Sequence, residues 1–170
     1  MPTRTVCHAV AVVLVAAGAA PGQWNTSPLG DGFGDSAAPP PMTARLVPQQ
    51  TRVVPGGRFH VAVDLRIADG WGYSSHEPGR STETGVVPQP ADLSVSAEGL
   101  RAGPILWPPD EPYGDGTRVY KSRAIVYVPL TVPADAEPGA RTVRVTMHGQ
   151  LCEDVCIPLR GANAVTAETE

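Results

Sequence analysis

The residues best equipped for chemistry are two cysteines in the run Gly149-Gln150-Leu151-Cys152-Glu153-Asp154-Val155-Cys156-Ile157-Pro158. Where a chain reverses as a hairpin, three intervening residues bring two Cα atoms within bridging distance, so a Cys152–Cys156 disulfide is geometrically open. Such a bridge has two readings. As a staple it closes a loop of roughly five residues and stabilises by only about 2 kcal/mol in the chain-entropy model, less than a long-range bridge supplies. As a redox pair it opens and closes, a role suited to exposed or strained disulfides, whose potentials are the more oxidising. Glu153 and Asp154 between the thiols disfavour thiolate. They are expected to raise the cysteine pKa values above the reference of about 8.5, the reverse of a thioredoxin-type CxxC at a helix N-terminus. The pair is therefore expected to attack slowly until a docked partner changes its surroundings.

Other candidate groups have simpler readings. His148, Cys152 and Cys156 recur every fourth residue and on a helix would share a face able to hold copper or zinc. Gly149, Pro158 and the preceding alternation argue for strands, where that spacing has no meaning. His148 is thus read as a surface strand residue, and no metal site is expected. Ser74, Ser75 and His76 adjoin, but no strand-turn-helix nucleophile elbow surrounds them, and His76 to Gly79 reads as a polar turn. Asp110 and Glu111 form a carboxylate pair among Pro108, Pro109 and Pro112. A glycosidase reading needs a sugar cleft that 5% aromatic content scarcely supports, which leaves a solvated loop.

The elements that must position these groups read as strands. Nineteen Pro and 18 Gly make over a fifth of the 170 residues, and no stretch keeps helical periodicity over three turns without one of them. Phe59, Val61, Val63, Leu65 and Ile67 alternate with Arg58, His60, Ala62, Asp64 and Arg66, giving one buried and one wet face, ended by the turn residues Asp69 and Gly70. Leu93 and Val95 suggest a weaker strand. Ala124 to Val132 is a strong one in which Pro129 implies an edge or a bulge. Thr142 to Met147 alternates again after the turn at Pro138-Gly139, and Ile157 to Val165 is expected to supply the last strand. Two antiparallel sheets packed face to face are the simplest architecture, so the fold class is all-β, an antiparallel β-sandwich.

Thirteen basic and 17 acidic residues give a net charge of -4, with no Lys/Arg run to follow a phosphate backbone, so nucleic acid is not an expected partner. Residues 1–20 read as a signal peptide: Arg4 is the positive end, Ala9 to Ala17 the apolar stretch, and Gly18, Ala19 and Ala20 the small residues. Cys7 would leave with it, so the mature chain keeps two cysteines in a disulfide-permissive compartment. No later segment is apolar enough for a membrane helix. The expected divisions are a flexible Gly/Pro-rich leader over 21–43, one domain over 44–165 and a tail over 166–170.

Several pieces, in order, resemble one known family: Ala68-Asp69-Gly70-Trp71 after an alternating strand, the Pro-Gly-rich Ser75 to Val87, and Leu106-Trp107-Pro108-Pro109. Tyr113-Gly114, Tyr120 before a long strand, and Cys152 to Pro158 follow. Together they are similar to the N-terminal periplasmic domain of the thiol:disulfide interchange protein DsbD, over roughly Ala44 to Leu159. The resemblance implies an immunoglobulin-like sandwich, a periplasmic or otherwise extracytoplasmic location, and no cofactor. It also implies a relay that takes electrons from a membrane reductant and gives them to oxidised extracytoplasmic proteins. By the same resemblance Cys156 attacks the partner, Cys152 resolves, and Asp110 to Gly114 is the cap loop over the pair. Pro112 stands where an aromatic cap residue is expected, with Tyr113 next. Asp110, Glu111, Pro112, Tyr113, Glu153 and Asp154 are thus the cap or modulating candidates. The family's membrane and thioredoxin-like domains do not fit in this chain, so electrons are expected from a separate membrane or thioredoxin-like oxidoreductase. A non-catalytic interaction module with a structural bridge, and a copper-binding chaperone, are the alternatives.

Overall fold

The computed structural model describes residues 41–160 and 165–169. The expected signal peptide, and the leader as far as residue 40, lie outside the described residues. The strands are β1 (Met42–Pro48), β2 (Arg58–Ile67), β3 (Gly72–Ser74), β4 (Asp92–Ala97), β5 (Arg101–Ala102) and β6 (Glu111–Pro112). They continue with β7 (Arg118–Lys121), β8 (Arg123–Thr131), β9 (Val143–His148), β10 (Gln150–Cys152), β11 (Cys156–Pro158) and β12 (Val165–Thr169).

The alternating runs form the strands because period two is the period of the pleat. In the first sheet, ordered β1-β2-β8-β5, Val61 stands opposite Val128 and Val63 opposite Val126, all four fully buried. Each such side chain contributes on the order of 1.5–3 kcal/mol by leaving water. Pro129 shows why a proline is tolerated in β8. Its carbonyl accepts from Gly103 on the sparsely paired side of the strand, so its missing N–H faces the same side and breaks no bond to β2. Two further antiparallel sheets, ordered β12-β9-β4 and β11-β10-β3-β7-β6, bring Val145, Met147, Tyr73 and Leu151 to the same core. The architecture is an immunoglobulin-like β-sandwich, with no helix among the described residues long and apolar enough to cross a membrane.

Three expectations change. Met42 is 1% exposed and pairs with Ile67, so the first strand starts inside the expected leader. The last expected strand ends early at Pro158, and a separate one, β12, occupies most of the expected tail, where Ala167 packs into the core opposite Val145. Asp64, on the expected wet face, is 6% exposed because the guanidinium of Arg123 lies across it at 2.8 Å and that of Arg66 at 3.4 Å. The Arg123 hydrogen bonds hold its carboxyl below the usual range, against the opposing effect of burial.

The cysteine hairpin is positioned by two glycines. Gly149, at φ 121°, carries the chain from β9 of one sheet to β10 of another, and a Cβ there would sit 3.0 Å from the Pro90 carbonyl and 3.1 Å from the Tyr73 ring. The buried hydroxyl of Tyr73 donates to the His148 carbonyl just before that crossing, and burial pushes its pKa up, which keeps it a neutral donor. Gly70, at φ 84°, closes the turn before β3, and a Cβ there would lie 2.6 Å from the Glu153 carboxylate.

Candidate functional site

Cys152 and Cys156 are directly opposed across the β10–β11 hairpin, with Cα atoms 4.0 Å apart, and their sulfurs are bonded. Glu153, Asp154 and Val155 form the exposed loop between them. The two sulfurs differ in access. Cys152 lies on an inner strand, paired with Gly72 of β3, and is 8% exposed, whereas Cys156 lies on the edge strand and is exposed. Cys156 is therefore the more accessible residue of the pair. The Glu153 carboxylate packs on the Gly70 turn, so the hairpin loop and the turn before β3 form one acidic corner with Asp69.

The segment Asp110 to Gly114 approaches the hairpin from the other side of β3 and β7. Glu111 and Pro112 are exposed and pair with Val119 and Arg118 of β7. Tyr113 follows, its N–H bonded to the Thr117 carbonyl at 2.8 Å, and its hydroxyl donates to the Glu153 carbonyl at 3.2 Å. The Lys121 ammonium stands 5.6 Å from the Tyr113 ring centroid, within cation–π range. It is thus Tyr113, not Pro112, whose side chain reaches the cysteine loop.

Asp110 is not the solvated loop residue that its neighbours suggest. Its carboxylate accepts from the Ser75 hydroxyl and from Arg118, whose Nε is 2.7 Å away, and only 13% of the side chain is exposed. The Arg118 hydrogen bond, helped by Ser75, holds the Asp110 carboxyl below the usual range although burial opposes it. Ser74 and Ser75, set aside as nucleophile candidates, are buried. Ser74 lies in β3 and donates to the Gln89 carbonyl, while Ser75 also accepts from the Glu77 N–H. Hydrogen bonding satisfies both hydroxyls, which is why the core tolerates them. Beside them the rings of His76, Trp107 and Tyr120 stack within 10° of parallel, with His76 Nδ1 2.7 Å from the Tyr120 hydroxyl.

His148 ends β9 and its Nε2 is 2.7 Å from the Ser94 hydroxyl. The cysteines are bonded to each other, and no group of three metal-ligating side chains exists among the described residues. Sequence reasoning passed over Arg118 and Lys121, which contact Asp110 and Tyr113, and Gln150, whose amide donates to the Cys152 sulfur at 3.3 Å. Period two alone places Gln150 and Cys152 on one face of a strand, so that last signal was present.

Fold and site together define an all-β domain that carries a disulfide at a sheet edge. Residues 43–166 match the family model of the N-terminal domain of the thiol:disulfide interchange protein DsbD, and the chain belongs to that family. No curated protein matches the chain. Among solved structures it is similar to the N-terminal periplasmic domain of ScsB from Proteus mirabilis, with 17% identity and a TM-score of 0.44. That match covers 75% of this chain and 43% of the other, so this chain spans less than half the length of that structure.

Proposed function

We propose that this domain exchanges disulfides with partner proteins outside the cytoplasm, Cys156 being the sulfur that meets the partner and Cys152 the resolving sulfur. The observation that carries the reading is the asymmetry of the pair: an exposed Cys156 on an edge strand bonded to a Cys152 that is 8% exposed on an inner strand. A reductant thiolate attacks Cys156 Sγ, the Cys152–Cys156 bond breaks, and its electron pair leaves on Cys152. The second thiol of the reductant then attacks its own half of the mixed disulfide and frees Cys156. The reduced pair reverses these steps on an oxidised protein. The electron donor is a thioredoxin-like or membrane thiol:disulfide oxidoreductase and the acceptors are oxidised extracytoplasmic proteins.

The cap belongs to this reading. Asp110, Glu111, Pro112 and Tyr113 shield the pair, while Glu153 and Asp154 restrain thiolate formation until a partner displaces Tyr113 from the Glu153 carbonyl. The test is the Cys152→Ser variant expressed in its native compartment. It is expected to accumulate mixed disulfides through Cys156 with a thioredoxin-like protein. Absence of any such adduct, with the domain folded, sinks the proposal.

A further inference from the structure

Thiol–disulfide exchange needs an attacking sulfur and also a sulfur able to leave as an anion. Cys152 is poorly placed for that by environment alone. It is 8% exposed, and burial disfavours thiolate. The surrounding elements offer charges mostly of the wrong sign: Glu153 and Asp154 in the loop, Asp69 before β3, and Glu111 on β6. Lys121 on β7, in register with Gly72, is taken up by the Tyr113 ring of the cap. Among the described residues, the donor that reaches the Cys152 sulfur is the side-chain amide of Gln150, at 3.3 Å.

The orientation of that amide is set by a second contact. Gln150 Oε1 accepts from the backbone N–H of Gln89 at 3.4 Å. A backbone N–H can face only the oxygen, so the NH2 end is left for the sulfur. The spacing is also imposed by the strand, since Gln150 and Cys152 are two residues apart on β10 and share a face.

We infer that Gln150 is a catalytic residue, whose amide stabilises the thiolate that Cys152 becomes when Cys156 Sγ is attacked. The inference rests on the proposed exchange through Cys156. When an incoming thiolate bonds to Cys156 Sγ, the electron pair of the broken S–S bond stays on Cys152 Sγ. The neutral contact to Gln150 then becomes a charge-assisted hydrogen bond, the stronger kind. The interaction is greater after bond cleavage than before it, which is the condition for acceleration rather than mere binding. It also makes Cys152 the better leaving group of the pair.

The experiment uses the full chain with Cys156→Ser, alone and combined with Gln150→Leu or Gln150→Glu, and follows thiolate absorbance against pH. Gln150→Leu removes the donor and is expected to raise the Cys152 pKa by about one unit, a tenfold loss in acidity. Gln150→Glu keeps the shape and the bond from Gln89 but sets a carboxylate oxygen on the sulfur, so it is expected to raise the pKa further. In the chain with both cysteines, Gln150→Leu is expected to slow reduction by dithiothreitol about threefold, given a rate dependence of roughly half a log unit per pKa unit. Equal Cys152 pKa values in the three proteins overturn the inference, as does a raised pKa with an unchanged reduction rate. Because Gln150→Glu is isosteric, misfolding of the leucine variant leaves the pKa comparison intact. If Cys152→Ser still traps partners on Cys156 while the Gln150 variants behave as wild type, this inference fails and the exchange function stands. Loss of trapping would remove the exchange function itself.

Discussion

Replacing Asp110 with alanine separates a cap that controls the disulfide from one that merely sits beside it. Asp110 is the last residue before β6, and its carboxylate ties that strand to the fully buried Ser75 hydroxyl and to Arg118. The two ties differ in worth. Arg118 is 44% exposed, so its ion pair contributes about 0–1 kcal/mol after solvent screening. The Ser75 hydroxyl is fully buried, and depriving a buried hydroxyl of its charged acceptor costs about 1–3 kcal/mol. The Ser75 term therefore dominates, and a loss near the middle of these ranges, about 1.4 kcal/mol, shifts the open–closed equilibrium of the cap roughly tenfold. Reduction of the Cys152–Cys156 bond by a small phosphine, followed by mass spectrometry, is expected to accelerate by up to about that factor. Asp64→Ala serves as the control, because it breaks a comparable ion pair, a buried carboxylate with a half-exposed arginine, on a different sheet and should lower stability without touching the rate. If Asp110→Ala loses stability as the control does but reduces at the wild-type rate, the cap reasoning is wrong.

Two further outcomes follow from the same contacts. Tyr113→Phe removes the bond to the Glu153 carbonyl but keeps the ring under Lys121; at about 0.5–1.5 kcal/mol for one neutral hydrogen bond, phosphine reduction should quicken about two- to tenfold with little change in melting temperature, and no acceleration would count against Tyr113 as the latch. Asp64 and Asp110 both have carboxyls held below their ordinary value, so the unfolded chain binds more protons in that window, and stability rises with pH there. Their contribution is complete above the ordinary carboxylate value and is lost as pH falls through the depressed ones; melting temperatures from about pH 5 to about pH 2 should decline, less so in Asp64→Asn, and a flat profile would contradict the assignment.

Much of the fold was legible because the strands carry their own period. The alternation over Arg58 to Ile67 and over Thr142 to Met147 reappears as β2 and β9, since a half-buried strand admits apolar side chains on one face only. The end strand was misread for a local reason. Ile157 to Val165 looks apolar enough, but β11 stops at Pro158, whereas Val165 to Thr169 pairs with β9 although its own apolar content is slight. Its partner strand, not its composition, makes it a strand.

The cysteines show the division most clearly. Their spacing left a hairpin bridge geometrically open, because three residues are the reach of a tight reversal, and the family likeness was readable from ordered local pieces. Which sulfur is buried was not readable, for that depends on β10 lying inside a sheet and β11 at its edge, a matter of long-range pairing with β3. The same holds for Asp110. In sequence it is an acid among prolines, and only the approach of Ser75, 35 residues away, turns it into the anchor of its segment. Local spacing determines which reactions are open to a chain; access and support for each atom come from partners distant in sequence, which tertiary packing alone brings together.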